Sequence, residues 1–229
     1  MSCLIFSCYF GKCKRLYQAP CKGAYFFSNN REIESDINKK GWNFFFIDKF
    51  KFESNNILKS SIHSKYIKFL IFLKDYPEFQ RYEKFYYFDH KFAVDMKYIN
   101  EFNLLCDKYE NKSIIIRKTP ALKKTIWHEV NHGKHQARYR KNMDKTVKFI
   151  ESKIDTEKYS SDVRVSNTGI ILYRNYDKIK DMLEEIYYTI LLHEQPECQI
   201  YWALFSQKYI KEIQQIDFKL LNPLWRKRC

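Results

Sequence analysis

The chain has 229 residues and a formal net charge of +14, and 45% of its residues are hydrophobic and 18% aromatic. These values describe one domain with a sizeable core, and five glycines and five prolines are too few for long linkers or a turn-rich all-β design. The charge predicts either an acidic partner, which would be nucleic acid, an anionic membrane face or a phosphorylated small molecule, or a function in keeping the protein in solution. Because the lysines are spread along the chain, a phosphate-attracting field is favoured over a nucleic-acid surface.

Short apolar runs predict strands, and the amphipathic segments between them predict helices. The predicted strands are residues 3–10, 23–28, 42–48, 84–94, 113–118 and 167–174. The predicted helices are residues 60–76, 98–110, 176–194 and 196–213, the last with a proline in its first turn. The apolar runs are continuous rather than alternating, which is typical of a sheet covered on both faces. The alternation predicts a single α/β domain whose mostly parallel sheet is flanked by helices.

The cysteines and the first residues of the sequence bear on the cellular compartment. Seven cysteines are scattered without a C-x-x-C pair, which predicts reduced thiols in a cytoplasmic protein rather than a disulfide framework. The opening MSCLIFSCYF is apolar but lacks a basic start and is too short to span a bilayer. We therefore expect a buried first strand there and not a signal peptide.

Polar residues follow the apolar runs, at the edge of the sheet where ligands bind in such folds. Gly11 and Lys12 offer close backbone approach and positive charge after the first run, without a P-loop spelling. Asp89 interrupts the run FYYFDHKFAV, where an uncompensated charge would be costly. Asp89 is therefore either a strand-end residue that caps a turn or pairs with Lys91, or a ligand for a divalent metal or a nucleotide ribose.

The H-E-x-x-H spelling of a zinc peptidase occurs at His128, Glu129 and His132. Two histidines four residues apart share a helix face and could bind one zinc ion, with Glu151 as a third ligand. However, Gly133 and the charged stretch KHQARYRKNMDK follow at once, whereas a zinc site needs an apolar surround that orients its ligands. The segment predicts a helix start at most, and zinc proteolysis is kept as an alternative hypothesis.

A resemblance to a known family is carried by a series of stretches in a fixed order. They are YFGKCKRLYQAP, YFFSNN, GWNFFFID, SKYIKF, FYYFDHKFAVD, VSNTGIILYRN and PECQIYWALF. In this order they resemble glycosyltransferases of the GT-A fold, the nucleotide-diphosphosugar-binding α/β type. The chain is most similar to a family that includes plant turgor-regulation-defect and mucilage-related proteins, with relatives in bacterial and viral polysaccharide clusters. The resemblance covers residues 4–210 and implies a GT-A-like (Rossmann-like) domain over residues 1–215, followed by a basic tail at 216–229.

The resemblance implies a function for each matching position. The residues implied to bind the nucleotide and its diphosphate are Tyr9, Phe10, Gly11, Lys12, Lys65 and Asp89, to which the charge of Lys91 can be added. The sugar pocket is implied to contain Asn167, Thr168 and Gly169. The implied catalytic residues are Glu197, Glu129 and Gln199, with Glu129 facing the acceptor or the sugar. On this interpretation the H-E-x-x-H spelling is a coincidence.

Two positions depart from the family pattern. The D-x-D-like motif reads Asp89-His90-Lys91, so its second carboxylate is absent. A lysine ammonium there could itself offset diphosphate charge, so a requirement for Mn²⁺ or Mg²⁺ is left open. The R-D-Q-like motif reads Glu197-Cys198-Gln199, so Glu197 or Glu194 would take over the function of the missing aspartate.

The implied reaction moves a sugar from a nucleoside-diphosphate donor to a hydroxyl group of a glycan or a lipid-linked acceptor, in polysaccharide or glycoconjugate synthesis. Lysines would neutralise the leaving diphosphate, and Glu197, or else Glu129, would accept the acceptor's proton. We expect a cytoplasmic protein with no nucleic-acid partner, and the terminal PLWRKRC predicts peripheral association with an anionic membrane. The alternatives are a zinc metallopeptidase and a basic protein that binds nucleic acid or a membrane surface.

Overall fold

The strands form a single mixed sheet. The computed structural model describes residues 2–12, 16–119, 125–217 and 219–220. Within these ranges the strands are β1 (Cys3–Cys8), β2 (Tyr25–Ser28), β3 (Asn43–Phe46), β4 (Lys84–Phe88), β5 (Ile114–Lys118), β6 (Ser166–Arg174) and β7 (Ile213–Ile216). Their order is β3-β2-β1-β4-β6-β5-β7. Strand β6 is antiparallel to both of its neighbours, and the other strand pairs are parallel.

Helices flank this sheet, so the predicted α/β architecture with a mostly parallel sheet is confirmed. The helices within the described ranges are α1 (Glu34–Lys39), α2 (Ile57–Lys68), α3 (Met96–Lys108), α4 (Ile126–Lys134), α5 (Ala137–Arg140), α6 (Met143–Glu157), α7 (Lys180–His193) and α8 (Cys198–Phe205). Polar side chains satisfy the free N–H groups at several helix starts. Asn56 accepts a hydrogen bond from the backbone of Lys59 in α2, and Asp95 accepts from two backbone N–H groups of α3.

The core lies on both faces of the sheet. In β4 the side chains of Phe85 and Tyr87 join one apolar cluster, while Tyr86 and Phe88 join the cluster on the opposite face. Successive residues of a strand point to opposite faces, so a strand covered on both sides needs apolar residues throughout. This is the physical reason for the continuous apolar runs in the sequence.

Several element boundaries differ from their predictions. The helix predicted over 60–76 ends at residue 68, because Leu70 adopts a left-handed backbone with φ of 61°. The strand predicted over 84–94 ends at residue 88 and is followed by a turn. The helix predicted over 196–213 ends at Phe205, and residues 213–216 instead form β7. The backbone of β7 pairs with β5, and this long-range pairing leaves no mark in the local apolar spacing.

The interpretation of the H-E-x-x-H segment as a helix start at most is wrong. The segment forms the full helix α4 and is followed by α5 and the long helix α6. Gly133 is buried inside α4, and a Cβ added there would lie 2.5 Å from Cε of Met143 in α6. The glycine therefore permits close packing between two helices, where the sequence suggested a helix end.

No helix in the described part of the chain is both long and apolar enough to cross a membrane. The final sequence PLWRKRC lies outside the described residues. The boundary after residue 215, the basic tail and the membrane association therefore stay predictions.

Candidate functional site

A cavity of about 650 Å³ opens at the carboxyl edge of the sheet, where the loops after β1 and β4 meet the start of β6. The predicted site residues that line it are Tyr9, Phe10, Gly11, Lys12, Lys65, Asp89, Lys91, Asn167, Thr168, Gly169, Glu197 and Gln199. They come from distant parts of the sequence and are brought together at one edge of the sheet by its strands and the adjoining helices. Glu129 is the one predicted site residue that is not among the lining residues of this described cavity.

The loop after β1 packs tightly against α2. Gly11 has φ of +89°, and a Cβ there would lie 2.7 Å from Oγ of Ser60. The Gly11 N–H donates to Oδ1 of Asn29 at 3.0 Å, and Nδ2 of Asn30 donates to the Gly11 carbonyl at 3.4 Å. Both asparagines follow β2 and are buried. The two amides hold a left-handed turn that favours glycine, so the backbone here can approach a ligand closely.

Asp89 follows β4 and has charged or polar neighbours at both carboxylate oxygens. The Tyr87 hydroxyl donates to Oδ1 at 2.6 Å, and Nζ of Lys68 lies 3.4 Å from the same oxygen. Nζ of Lys91 lies 3.4 Å from Oδ2, so the pairing considered from sequence is present. Burial raises the pKa of Asp89, but Lys68, Lys91 and Lys65 outweigh it and hold that pKa well below its usual range. The carboxyl group is therefore ionised at neutral pH.

The lysines of α2 have different electrostatic surroundings. Lys68 is only 3% exposed, and although burial lowers its pKa, the attraction of Asp89 outweighs that effect and raises it. Burial lowers the pKa of Lys65, which forms no ion pair with the described residues and lines the cavity together with Lys68. His90, next to Asp89, packs edge-on against Tyr9 with ring centroids 4.4 Å apart. Burial lowers the pKa of His90 to about 4, so this imidazole is neutral at pH 7.

The start of β6 forms another wall and is tied to Asp89. The Asp89 N–H donates to the Gly169 carbonyl at 2.8 Å, and the Gly169 N–H donates to Oδ1 of Asn167 at 3.0 Å. A Cβ on Gly169 would lie 2.7 Å from Cε2 of Phe92. The absence of a side chain here leaves space for the aromatic ring close to the strand, so the shape of this wall depends on glycine.

The start of α8 also lines the cavity and contacts the start of β6, where Oγ1 of Thr168 lies 3.3 Å from Sγ of Cys198. Glu197 is the N-cap of this helix, and its Oε1 accepts from the backbone N–H of Gln199 at 3.3 Å and from Nε2 of Gln199 at 3.4 Å. The same amide donates to Oε1 of Glu129 at 3.0 Å. Glu129 is 2% exposed and lies behind Gln199, so it contacts the cavity wall and does not line the cavity. Glu194, the other acid considered, is exposed at the end of α7 and does not line the cavity either.

Several lining residues were missed in the sequence. They are Lys68, Tyr87, Arg138, Tyr139 and the serines Ser54, Ser60, Ser61 and Ser64. Spacing along α2 was the available signal: positions three and four apart share a helix face, which relates Lys65 to Ser61 and Lys68 to Ser64. Arg138 belongs to the basic RYRK cluster, but nothing local to that cluster indicates that it reaches this cavity.

In the structure, the H-E-x-x-H segment lies in α4, and its first histidine caps the start of that helix. Nδ1 of His128 lies 2.9 Å from Oγ1 of Thr125 and accepts from the Thr125 backbone, which closes a capping box at the start of α4. His128 and His132 are exposed, whereas Glu129 between them is buried. Across the described ranges no three His, Cys, Asp or Glu side chains are grouped so as to hold a metal ion. The metallopeptidase hypothesis therefore gains no support.

The described architecture matches solved structures of glycosyltransferases. Mouse xyloside xylosyltransferase 1 in its apo form is similar over 100% of this chain and 95% of its own, with a TM-score of 0.52 and 11% identity. A glycosyltransferase involved in the glycosylation of the major capsid of PBCV-1 gives a TM-score of 0.49 at 13% identity, covering 95% of this chain and 83% of its own. No protein-family model matches the chain, and no curated protein sequence matches it.

These similarities establish the fold alone, because the sequence identities are low. The chain has a single-domain α/β fold that is GT-A-like, as predicted. The mouse xylosyltransferase has the same fold. The narrower resemblance to the turgor-regulation-defect and mucilage-related family stays a prediction.

Proposed function

We propose that this chain is a glycosyltransferase that moves a sugar from a nucleoside-diphosphate donor to a hydroxyl group of an acceptor. A fold hosts many activities, so the proposal depends on the site. The observation that carries it is the cavity itself, in which a glycine turn, a lysine-rich helix face, Asp89 and the polar start of α8 surround one space. Its volume of about 650 Å³ lies within the usual range of small-molecule sites.

Electrostatics support an anionic donor. The described cationic lining residues are Lys12, Lys65, Lys68, Lys91 and Arg138, and the described carboxylates are Asp89 and Glu197. The excess of cations raises the local concentration of a negatively charged ligand. The lysines lie next to the glycine turn, so the diphosphate would bind there. The serine hydroxyls of α2 and its preceding loop would then contact the nucleoside.

In the proposed reaction, the residues of each cavity wall have one function. The acceptor oxygen attacks the anomeric carbon, the bond from that carbon to the diphosphate oxygen breaks, and the electron pair leaves with the diphosphate. Lysine ammonium groups stabilise the charge that develops on the leaving group. Glu197 accepts the proton of the acceptor hydroxyl, while Asn167, Thr168 and Gln199 hold the sugar. Glu129 acts through Gln199 as a positioning residue, because the contact runs from Glu129 to that amide.

The acceptor is a hydroxyl-bearing glycan or lipid-linked saccharide, in keeping with the sequence resemblance. Arg138, which is exposed, and Tyr139 also line the cavity, and the acceptor would bind beside them. Synthesis of a polysaccharide or glycoconjugate at a cytoplasmic membrane face would place such an acceptor within reach.

Thermal unfolding with nucleoside diphosphates tests the proposal. A ligand present at one hundred times its Kd stabilises the folded state by about 2.7 kcal/mol, which raises the Tm of a chain of this length by roughly 5–10 °C. We expect UDP, GDP or another nucleoside diphosphate to give such a shift. If none does, the proposal fails.

A matched pair of variants locates the binding. Lys65→Met removes a cavity cation and is expected to weaken nucleotide binding about tenfold. Lys59→Met removes an exposed lysine of the same helix that pairs with Glu53 outside the cavity, and its affinity should match the unsubstituted protein. Equal losses in both variants would show that the nucleotide binds elsewhere.

A further inference from the structure

The carboxylate that should bind a metal is already engaged. Both oxygens of Asp89 have a donor or an ammonium group beside them, from Tyr87, Lys68 and Lys91. Mg²⁺ and Mn²⁺ bind oxygen ligands at about 2.0–2.2 Å in octahedral geometry and need those lone pairs free of competing cations. An ammonium 3.4 Å from each oxygen would lie within strong repulsion of such an ion. The surroundings of Asp89 therefore do not fit a divalent cation.

The neighbouring residues supply no substitute ligand. Lys91 stands where a second carboxylate would be needed, and an ammonium group cannot coordinate a cation. The imidazole of His90 packs against Tyr9. Glu197 accepts hydrogen bonds from its own helix start. In the ranges that the structure describes, no triad of potential metal ligands exists at this site.

The lysines lie beside Asp89, where a metal ion would otherwise be needed to neutralise the diphosphate. Lys68 is almost fully buried, and its pairing with Asp89 explains how a buried ammonium is retained. Lys91 approaches the same carboxylate from the open side, since 53% of its side chain is exposed. Asp89 thus fixes two positive charges at the cavity surface, beside Lys65 and the glycine turn.

We propose that this site neutralises the donor's diphosphate with Lys65, Lys68 and Lys91, and that it works without a divalent cation. The inference rests on the proposed function, because it concerns the same diphosphate. Asp89 then orients ammonium groups and is not a metal ligand. Breaking of the anomeric bond leaves charge on the diphosphate, and this charge is balanced by the fixed lysines.

Calorimetric binding of UDP, GDP and inorganic pyrophosphate, each with excess EDTA and with excess Mn²⁺, tests the inference on the unsubstituted protein. We expect a Kd that agrees within about threefold between the two conditions. Binding that disappears in EDTA and returns with Mn²⁺ would overturn the inference and leave the proposed function standing. Absence of binding by every ligand in both conditions would overturn both.

A variant with a second carboxylate tests the same inference, because it should make nucleotide binding depend on a metal ion. Lys91→Asp removes one ammonium and restores the two-carboxylate spelling at residues 89 and 91. We expect nucleotide affinity in EDTA to fall about tenfold or more, and Mn²⁺ to recover most of that loss. Lys97→Asp, which makes the same change at an exposed position of α3 outside the cavity, serves as the control and should bind as the unsubstituted protein does. Full affinity of Lys91→Asp in EDTA would contradict the inference.

Discussion

The side-chain amide of Gln199 joins the wall of the cavity to the buried carboxylate of Glu129, with Nε2 3.0 Å from Oε1. The two residues are 70 positions apart in the sequence. Because the same amide also reaches Glu197, one glutamine fixes the relative placement of two acids. In the proposed function the two acids therefore differ, because Glu197 lines the cavity while Glu129 contacts it only through Gln199.

Substitutions at Glu129 should therefore affect geometry more than chemistry. Glu129→Ala removes a buried acceptor, which costs about 1–3 kcal/mol of stability and lets Gln199 move. We expect a lower kcat and a lower Tm. Glu129→Gln keeps an acceptor oxygen and should recover most of both losses, whereas Glu197→Gln should lower kcat at nearly unchanged Tm. Steady-state kinetics and thermal unfolding of the three variants measure this, and a Glu129→Gln protein as inactive as Glu197→Gln would refute the positioning function.

The glycine turn after β1 provides a matched comparison. Gly11 and Gly23 have nearly the same backbone angle, with φ of +89° and +90°, but only a Cβ on Gly11 would meet a neighbour, Ser60. Gly23→Ala should cost the left-handed penalty alone, about 1–2 kcal/mol, and leave nucleotide affinity unchanged. Gly11→Ala should cost more and also weaken nucleotide binding.

Urea unfolding and calorimetry would measure these two effects. The informative quantity is the difference between the two variants, since the backbone penalty cancels. Equal stability loss together with equal nucleotide affinity in both proteins would mean that the close approach to Ser60 has no consequence for the site.

Gly169 determines the shape of the cavity wall at the start of β6. Gly169→Ala would place a Cβ 2.7 Å from Cε2 of the buried Phe92, and we expect a loss of about 1–3 kcal/mol from overpacking. Phe92→Leu removes the ring edge at which the clash occurs. The double variant should therefore be more stable than the sum of the single effects predicts. Strict additivity in urea unfolding would argue against this contact.

Acid should weaken the fold in a defined pH range. Burial lowers the pKa of His90 from 6.5 to about 4, with Asp89 opposing the shift and Lys91 and Lys65 reinforcing it. Burial also lowers the pKa of His63 to about 4. Between pH 6.5 and 4 the unfolded chain binds protons that the folded chain does not. Stability is thus full above pH 6.5 and falls as the pH drops toward 4.

The size of this effect can be measured by urea unfolding from pH 8 to pH 4.5. Allowing for partial exposure, each histidine should contribute about 1–2 kcal/mol of the decline. His90→Asn should flatten the curve between pH 6.5 and 4 relative to the unsubstituted protein, with a constant offset above pH 7. The Asp89 carboxyl, whose pKa is held low, loses its ion pairs only at more acidic pH, so the two contributions are separable. An unchanged slope in His90→Asn would show that this imidazole is not shielded.

Much of the fold can be predicted from local patterns of the sequence. Continuous apolar runs specify strands buried on both faces, and amphipathic segments between them specify covering helices, so the α/β class follows from burial alone. The polar residues after each run, such as Gly11 and Asp89, lie at the cavity because parallel strands end at a common edge.

The tertiary structure decided which of these residues meet. Lys68 contacts Asp89, which is 21 positions away in the sequence, and Gln199 contacts Glu129, which is 70 positions away. Strand β7 forms because its backbone hydrogen-bonds to the distant strand β5. Such contacts depend on how whole elements pack, and local spacing carries no information about them. Packing also decided the exposure of the H-E-x-x-H residues, since Glu129 is buried while the two histidines stay in solvent.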